Sequence, residues 1–159
     1  MSATATVSDP NRKHLEAART LIAKGDLKQA ALTLNKAQKQ LPNDPRVFML
    51  AGLMAEKSGN INGAFEALRR SVAMAPDWGP GLLELALLLA RQNQFKEAVE
   101  TAEKVAALEP RNLQVLAGVV DIAHRAGQAE MAVQHLRRGL ELVPGDTMLR
   151  RLLARGLSE

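Results

Sequence analysis

Residues of one type recur along this chain every 34 positions, and that period limits the fold more than any other feature. Alanine returns at Ala30, Ala64, Ala98 and Ala132, and proline at Pro42, Pro76, Pro110 and Pro144. Between them Gly25, Gly59, Asn93 and Gly127 keep the same spacing. Four units follow, 11–44, 45–78, 79–112 and 113–146, and no insertion breaks their phase. Self-similarity of this length marks an array of small supersecondary units. One unit cannot bury its apolar face alone, whereas stacked neighbours can.

Within each unit the apolar period is helical. Phe48, Ala51, Gly52 and Ala55 follow an i, i+3, i+4, i+7 pattern, as do Leu82, Leu85, Ala86 and Leu89, and then Leu116, Val119, Val120 and Ala123. Ile61, Ala64, Ala67 and Leu68 carry a second stripe. The spacing predicts two helices of about 14 residues per unit. Gly or Asn between the stripes suits the left-handed residue that ends a helix. The repeated Ala lets the second helix approach the first closely, and the repeated Pro stops the helix before it. Asp44 and Pro45 read as an N-cap with proline at the first helical position. Asn112 and Asp146 occupy the same place, and Trp78 stands there in the second unit, where Pro80 helps to start the helix.

Composition removes other classes. Three Phe, one Trp and no Tyr argue against a β-sandwich, whose strands are rich in aromatics. The absence of Cys excludes disulfides, a thiol nucleophile and cysteine metal sites. The net charge of +4 invites a nucleic-acid reading, but residues 1–80 carry 11 basic and 7 acidic side chains and residues 81–159 carry 10 of each. With no run of like charges there is no basic arm, so nucleic acid is not an expected partner. The first ten residues, MSATATVSDP, have no apolar run and are expected to be a disordered leader rather than a secretory signal. The longest apolar stretch, Leu82 to Ala90, contains Glu84 and is far short of the roughly 20 residues that span a membrane. A soluble, cytoplasmic chain is the expectation.

On these marks the chain resembles the tetratricopeptide repeat family. The resemblance covers 11–146 and rests on the 34-residue unit, the small residue at Ala18, Gly52 and Ala86, the alanine row and the prolines. Its departures are Val120 in the small-residue slot and Gly139 where an alanine is usual. The resemblance implies an all-α α-solenoid, four helix–turn–helix repeats in a right-handed superhelix. The tail 147–159 keeps the phase and is expected to be a capping helix or a truncated fifth repeat.

Catalytic chemistry is thinly provided for. Of His14, His124 and His135, only His124 has an acidic residue, Asp121, at helical contact spacing, and a surface ion pair accounts for that. No nucleophile or phosphate-loop motif is present. The expectation is a chain with no catalytic residues, metal or cofactor. Lys36, Arg70, Lys104 and Arg138 form a row that reads as solvated surface on the second helices. Lys57, Arg91 and Arg125 fall in the last turns of the first helices, where a cation complements the helix dipole.

In the family the first helices line a concave groove. The resemblance would place there Leu15 and Arg19 of the first unit, Met49, Leu53 and Glu56 of the second, Leu83 and Leu87 of the third, and Asp121 and His124 of the fourth. Lys57, Arg91 and Arg125 are secondary candidates for its rim. The groove is thus apolar at its centre with mixed charges at its ends. Two occupants compete for the apolar stretch: a partner's helix or extended segment, or the chain itself through self-association. The asparagines that grip dicarboxylate termini in some relatives have no counterpart, since every Asn except Asn35 falls in a turn or helix end. Leu50, Glu84 and Gly118 stand where the asparagine ladder of sugar transferases would need Asn. The leading expectation is a non-catalytic scaffold that binds a protein or peptide segment with apolar side chains. The alternatives are the N-terminal module of a larger glycosyl- or methyltransferase and a small secretion chaperone; the pI of 9.8 counts against the last.

Overall fold

Helix termination by residues that tolerate positive φ sets the architecture. A computed structural model of the chain describes residues 9–157, and within them lie nine α-helices. They are α1 Arg12–Lys24, α2 Leu27–Gln40, α3 Pro45–Lys57, α4 Ile61–Met74, α5 Gly79–Arg91, α6 Phe95–Leu108, α7 Leu113–Arg125, α8 Ala129–Leu142 and α9 Thr147–Leu157. The first helix of each pair has 13 residues and the second 14, one fewer in the first than the spacing predicts. The missing residue goes into the turn. Gly25, Gly59, Asn93 and Gly127 take φ of 82°, 84°, 61° and 70°, the left-handed conformation that reverses the chain between the helices of a pair.

Helix starts follow the anticipated caps. The Asp44 carboxylate accepts from the Arg46 N–H, and Asn112 Oδ1 accepts from the N–H groups of Gln114 and Val115. Asp146 Oδ1 accepts from the Leu149 N–H at 2.8 Å. Trp78 makes no side-chain cap, and α5 begins instead with Gly79 and Pro80.

The helices divide into two compact units, residues 1–75 and 76–159. In the first, α1 packs on α2 and α3 on α4, while α3 also touches both α1 and α2. In the second, α5 pairs with α6 and α7 with α8; α7 touches α5 and α6, and α9 packs on α8. Close approach within a pair depends on the small residues. Ala30, Ala64 and Ala98 are fully buried and Ala132 is 1% exposed. Gly52 of α3 lies under Leu68 of α4 so closely that a Cβ there would stand 2.7 Å from Leu68 Cγ. Gly139, where an alanine is usual, leaves room for Leu116 of α7; a Cβ at Gly139 would fall 2.4 Å from Leu116 Cδ2.

The first unit also carries a charged clamp. The Arg46 guanidinium donates to both Asp44 oxygens, at 3.0 and 2.8 Å, and to both oxygens of Asp9. Asn11 Nδ2 donates to Asp44 Oδ2 at 2.9 Å. Arg46 holds the Asp9 carboxyl below its ordinary range. At Asp44 burial opposes ionisation, but hydrogen bonds from Arg46 and Asn11 outweigh it and the carboxyl again lies below its ordinary range. Of the expected leader 1–10, residues 1–8 lie outside the described residues; Asp9 at its end is the Arg46 partner.

Candidate functional site

The 34-residue phase puts equivalent positions of successive first helices on one face, and each unit of the molecule presents such a face. In the first unit it is formed by α1 and α3, which touch. Leu15 and Arg19, four residues apart, share one side of α1, and Met49, Leu53 and Glu56 share the equivalent side of α3. Leu15 is 8% and Met49 4% exposed, so neither has appreciable surface to offer a partner. Arg19 is exposed, and Leu53 and Glu56 are half-buried. The apolar surface the first unit presents here is therefore Leu53, flanked by charge.

In the second unit the face is formed by α5 and α7. Leu83 and Leu87 are half-buried, one turn apart on α5. Leu83 lies over Gly118 of α7, where a Cβ would meet Leu83 Cδ1 at 2.7 Å. The glycine within α7 thus gives Leu83 its seat, with the small, half-buried Ala117 beside it. The rest of α5 is buried on several sides: Leu82, Leu85, Ala86, Leu88, Leu89 and Ala90 are each 4% exposed or less. This matches a segment apolar nearly all round.

Charges at the far end of this face pair differently from the sequence expectation. Asp121 Oδ2 accepts from Arg125 Nε at 3.0 Å, an i, i+4 ion pair on the surface of α7. His124, the neighbour considered for that role, is exposed one residue away. Arg125 is the residue that sequence reasoning underused, although its spacing from Asp121 was readable. Arg91 is exposed at the end of α5. Lys57, expected to sit at the end of its own helix, reaches across to α1 and donates to the Ile22 carbonyl at 2.9 Å. His135 is buried with Nε2 3.0 Å from Glu103 Oε1, which ties α8 to α6. Among the described residues no group of three metal-ligating side chains occurs, and no helix is long and apolar enough to cross a membrane.

The row of cations on the second helices is exposed, and Arg70 lies over the Phe48 ring at 4.5 Å from its centroid. A guanidinium stacked in this way covers an aromatic edge of the core rather than lining a phosphate track. Among the described residues the large apolar side chains most open to solvent are Leu32, Leu108, Leu113 and Met148. None belongs to the expected set, and Met148 lies on α9, at the position of Pro80 in α5 and Gln114 in α7.

Comparison with known proteins bears on the whole arrangement. Family models described as tetratricopeptide repeat match residues 15–77 and 89–156. Protein CTR9 homolog of Arabidopsis thaliana is 26% identical over 155 residues, 90% of this chain and 14% of that protein. Protein O-mannosyl-transferase TMTC1 of Mus musculus is 25% identical over 145 residues, 89% of this chain and 15% of that protein. The chain thus spans 14–15% of these relatives' length. Among solved structures, TTC0263, a thermophilic TPR protein of Thermus thermophilus, superposes with a TM-score of 0.78 at 18% identity. That match covers 95% of this chain and 83% of the other, and it shows the fold. With two family models meeting the four helix pairs and the left-handed turns between them, the chain belongs to the tetratricopeptide repeat family.

Proposed function

We propose that the protein is a non-catalytic, cytoplasmic interaction scaffold that holds a helix or extended segment of a partner protein against its first helices. One observation carries the reading: in the second unit Leu83 and Leu87, one turn apart on α5, keep surface open while Leu82, Leu85 and Leu89 of the same helix are closed, and Leu53 of the first unit, at the position equivalent to Leu87, is likewise half-buried. Half-buried leucines on the first helices of each unit offer a partner apolar area at little ordering cost, since their helices are already formed. Arg19 and Glu56 on the first unit's face, and Arg91 and Asp121 on the second's, set orientation rather than affinity.

The test is selection from a displayed library of random dodecamer peptides on the full chain. Enrichment of leucine, isoleucine and phenylalanine is expected, and Leu87→Asp should abolish it with helix content unchanged by circular dichroism. Unfolding by Leu87→Asp would make Leu87 a core residue and remove it from the face; Leu53→Asp then serves as the second variant. A second reading, a recognition module within a larger enzyme, draws on the mannosyl-transferase relative. A reading frame that continues into a transferase domain would support it.

A further inference from the structure

We infer that the outer side of α2 docks on an anionic lipid surface, with Leu32 entering the headgroup layer among Lys28, Lys36 and Lys39. The inference goes beyond the scaffold reading and uses none of the residues assigned there to the partner segment. Within the first unit α2 packs on α1 and α3, and it buries Ala30, Leu34 and Ala37. At about 100° per residue Leu32 falls almost opposite those three, and the three lysines fall within about 40° of Leu32. All four side chains are exposed, Leu32 by 50%, and they extend about 17 Å along the helix. The leucine therefore points straight out of the fold, ringed by cations.

The other second helices show what this side looks like when it only meets water. The position of Leu32 is Glu66 in α4, Glu100 in α6 and Gln134 in α8, all exposed. Lys39 is replaced by Ala73, Ala107 and Glu141, and Lys28 by Asn62, Lys96 and Glu130. Lys36 alone has a cation at every equivalent position. Only α2 combines an open leucine with charge of one sign, since it has no acidic residue between Leu27 and Gln40. Leu32 adds nothing to the core, and a polar residue at the same place serves the other three helices.

The lysines are also uncommitted. Among the described residues none of the three has an ion pair or hydrogen bond. The acids of the first unit are engaged elsewhere or stand apart. Asp9 and Asp44 hold Arg46, Glu16 holds Arg12, and Asp26 accepts from the Gln29 N–H at the start of α2. Glu56 is half-buried on α3, and Glu66 lies on α4, which packs on α3 rather than on α2.

The residue types select among polyanions. Carboxylates of a peptide are gripped best by the planar fork of arginine, and α2 has none. Nucleic acid gains affinity from aromatic side chains on which bases stack, and α2 offers a leucine instead. An anionic membrane surface uses both features present. It attracts each lysine as a point charge without demanding a fixed geometry, and it takes a leucine into the boundary between headgroups and acyl chains. Residues 1–80, with 11 basic against 7 acidic side chains, add attraction at longer range.

The test is co-sedimentation of the full chain with vesicles of phosphatidylcholine, alone or with about a third phosphatidylserine. Sedimentation with the phosphatidylserine vesicles only is expected, and it should weaken steeply at about 0.5 M salt. Lys28→Gln/Lys36→Gln/Lys39→Gln should lower the partition coefficient about a hundredfold, at about fivefold per lysine, with the circular dichroism spectrum unchanged. Leu32→Gln keeps every charge and should lower it about threefold. Because the chain has no Cys, Leu32→Cys carries a polarity-sensitive fluorophore at a single place. Its emission should move to shorter wavelength on phosphatidylserine vesicles, whereas the same label on Gln134→Cys should not respond. No sedimentation, or sedimentation that the triple variant keeps, would overturn the inference. An equal response from the label at both positions would take the contact away from α2 and overturn it too. So would binding of polyglutamate or a single-stranded oligonucleotide that the triple variant loses, with no binding to vesicles.

Discussion

At Gly52 a single methyl group is too much. Leu68, which covers it, is 1% exposed and cannot swing out, and the Ala64 carbonyl stands 3.3 Å from where the Cβ would be. Gly52→Ala is therefore expected to destabilise the fold by about 1–3 kcal/mol through overpacking, read by urea denaturation. Ala98→Leu should cost a similar amount for the same reason, since Ala98 is fully buried in its helix pair. Gly145→Ala is the control. A Cβ there meets nothing within 4 Å, and its φ is not positive, so the change should stay within about 0.5 kcal/mol. If Gly52→Ala is equally neutral, the helices are not in the contact described. The small-residue slots were legible in the sequence at Ala18, Gly52 and Ala86. Which large side chain fills the space each leaves, as Leu116 does over Gly139, was not.

At the scale of an element, the start of α3 is the most heavily fastened helix end in the first unit. Asp44 caps it, and Arg46 and Asn11 hold Asp44 in turn. Asp9 and Asp44 both ionise more readily in the folded chain than in the unfolded one. Their contribution is therefore complete above the ordinary carboxylate pKa of about 4 and is lost as the pH falls through the lower folded values. Thermal melts should show stability falling below about pH 4, with a shallower fall in Asp44→Asn. A variant whose pH profile overlays that of the unaltered chain would separate these carboxylates from acid stability. At neutral pH Asp44→Ala should cost about 1–2 kcal/mol through loss of the cap. The Asp44–Pro45 signature was readable; the reach of Arg46 back to Asp9, 37 residues away, was not.

Taken whole, each unit of the molecule behaves as a short stack whose helices are covered to different extents, α5 and α7 burying several large side chains and α9 only Leu149 among residues 147–156. Local stability in such arrays follows the number of neighbours. In the second unit, amide hydrogen exchange should be slowest around Leu88 and Leu89, both fully buried in α5, and fastest in α9, where Leu149 alone among residues 147–156 is buried. Protection in α9 equal to that in α5 would mean that something covers its open side in solution. Light scattering over a concentration series should report the mass of one chain throughout. A dimer would make a second copy the occupant of the half-open leucines and displace the partner segment.

The 34-residue phase, the small-residue slots and the glycine and proline punctuation determined by themselves the fold class, the helix order and the turns. Each of these is a local matter of backbone conformation or of one residue's size. Even the phase of α9 was written in the sequence. Tertiary structure alone decided how much of each groove-side residue stays open, closing Leu15 and Met49 and leaving Leu53, Leu83 and Leu87 half exposed. It also decided the long-range partners, Lys57 with the carbonyl end of α1 and Arg46 with Asp9, and it gave Asp121 to Arg125 in place of His124. A helical pattern states the side on which a residue stands. Burial and pairing depend on the distance to the next helix and the reach of its side chains, and those exist only once the helices are packed.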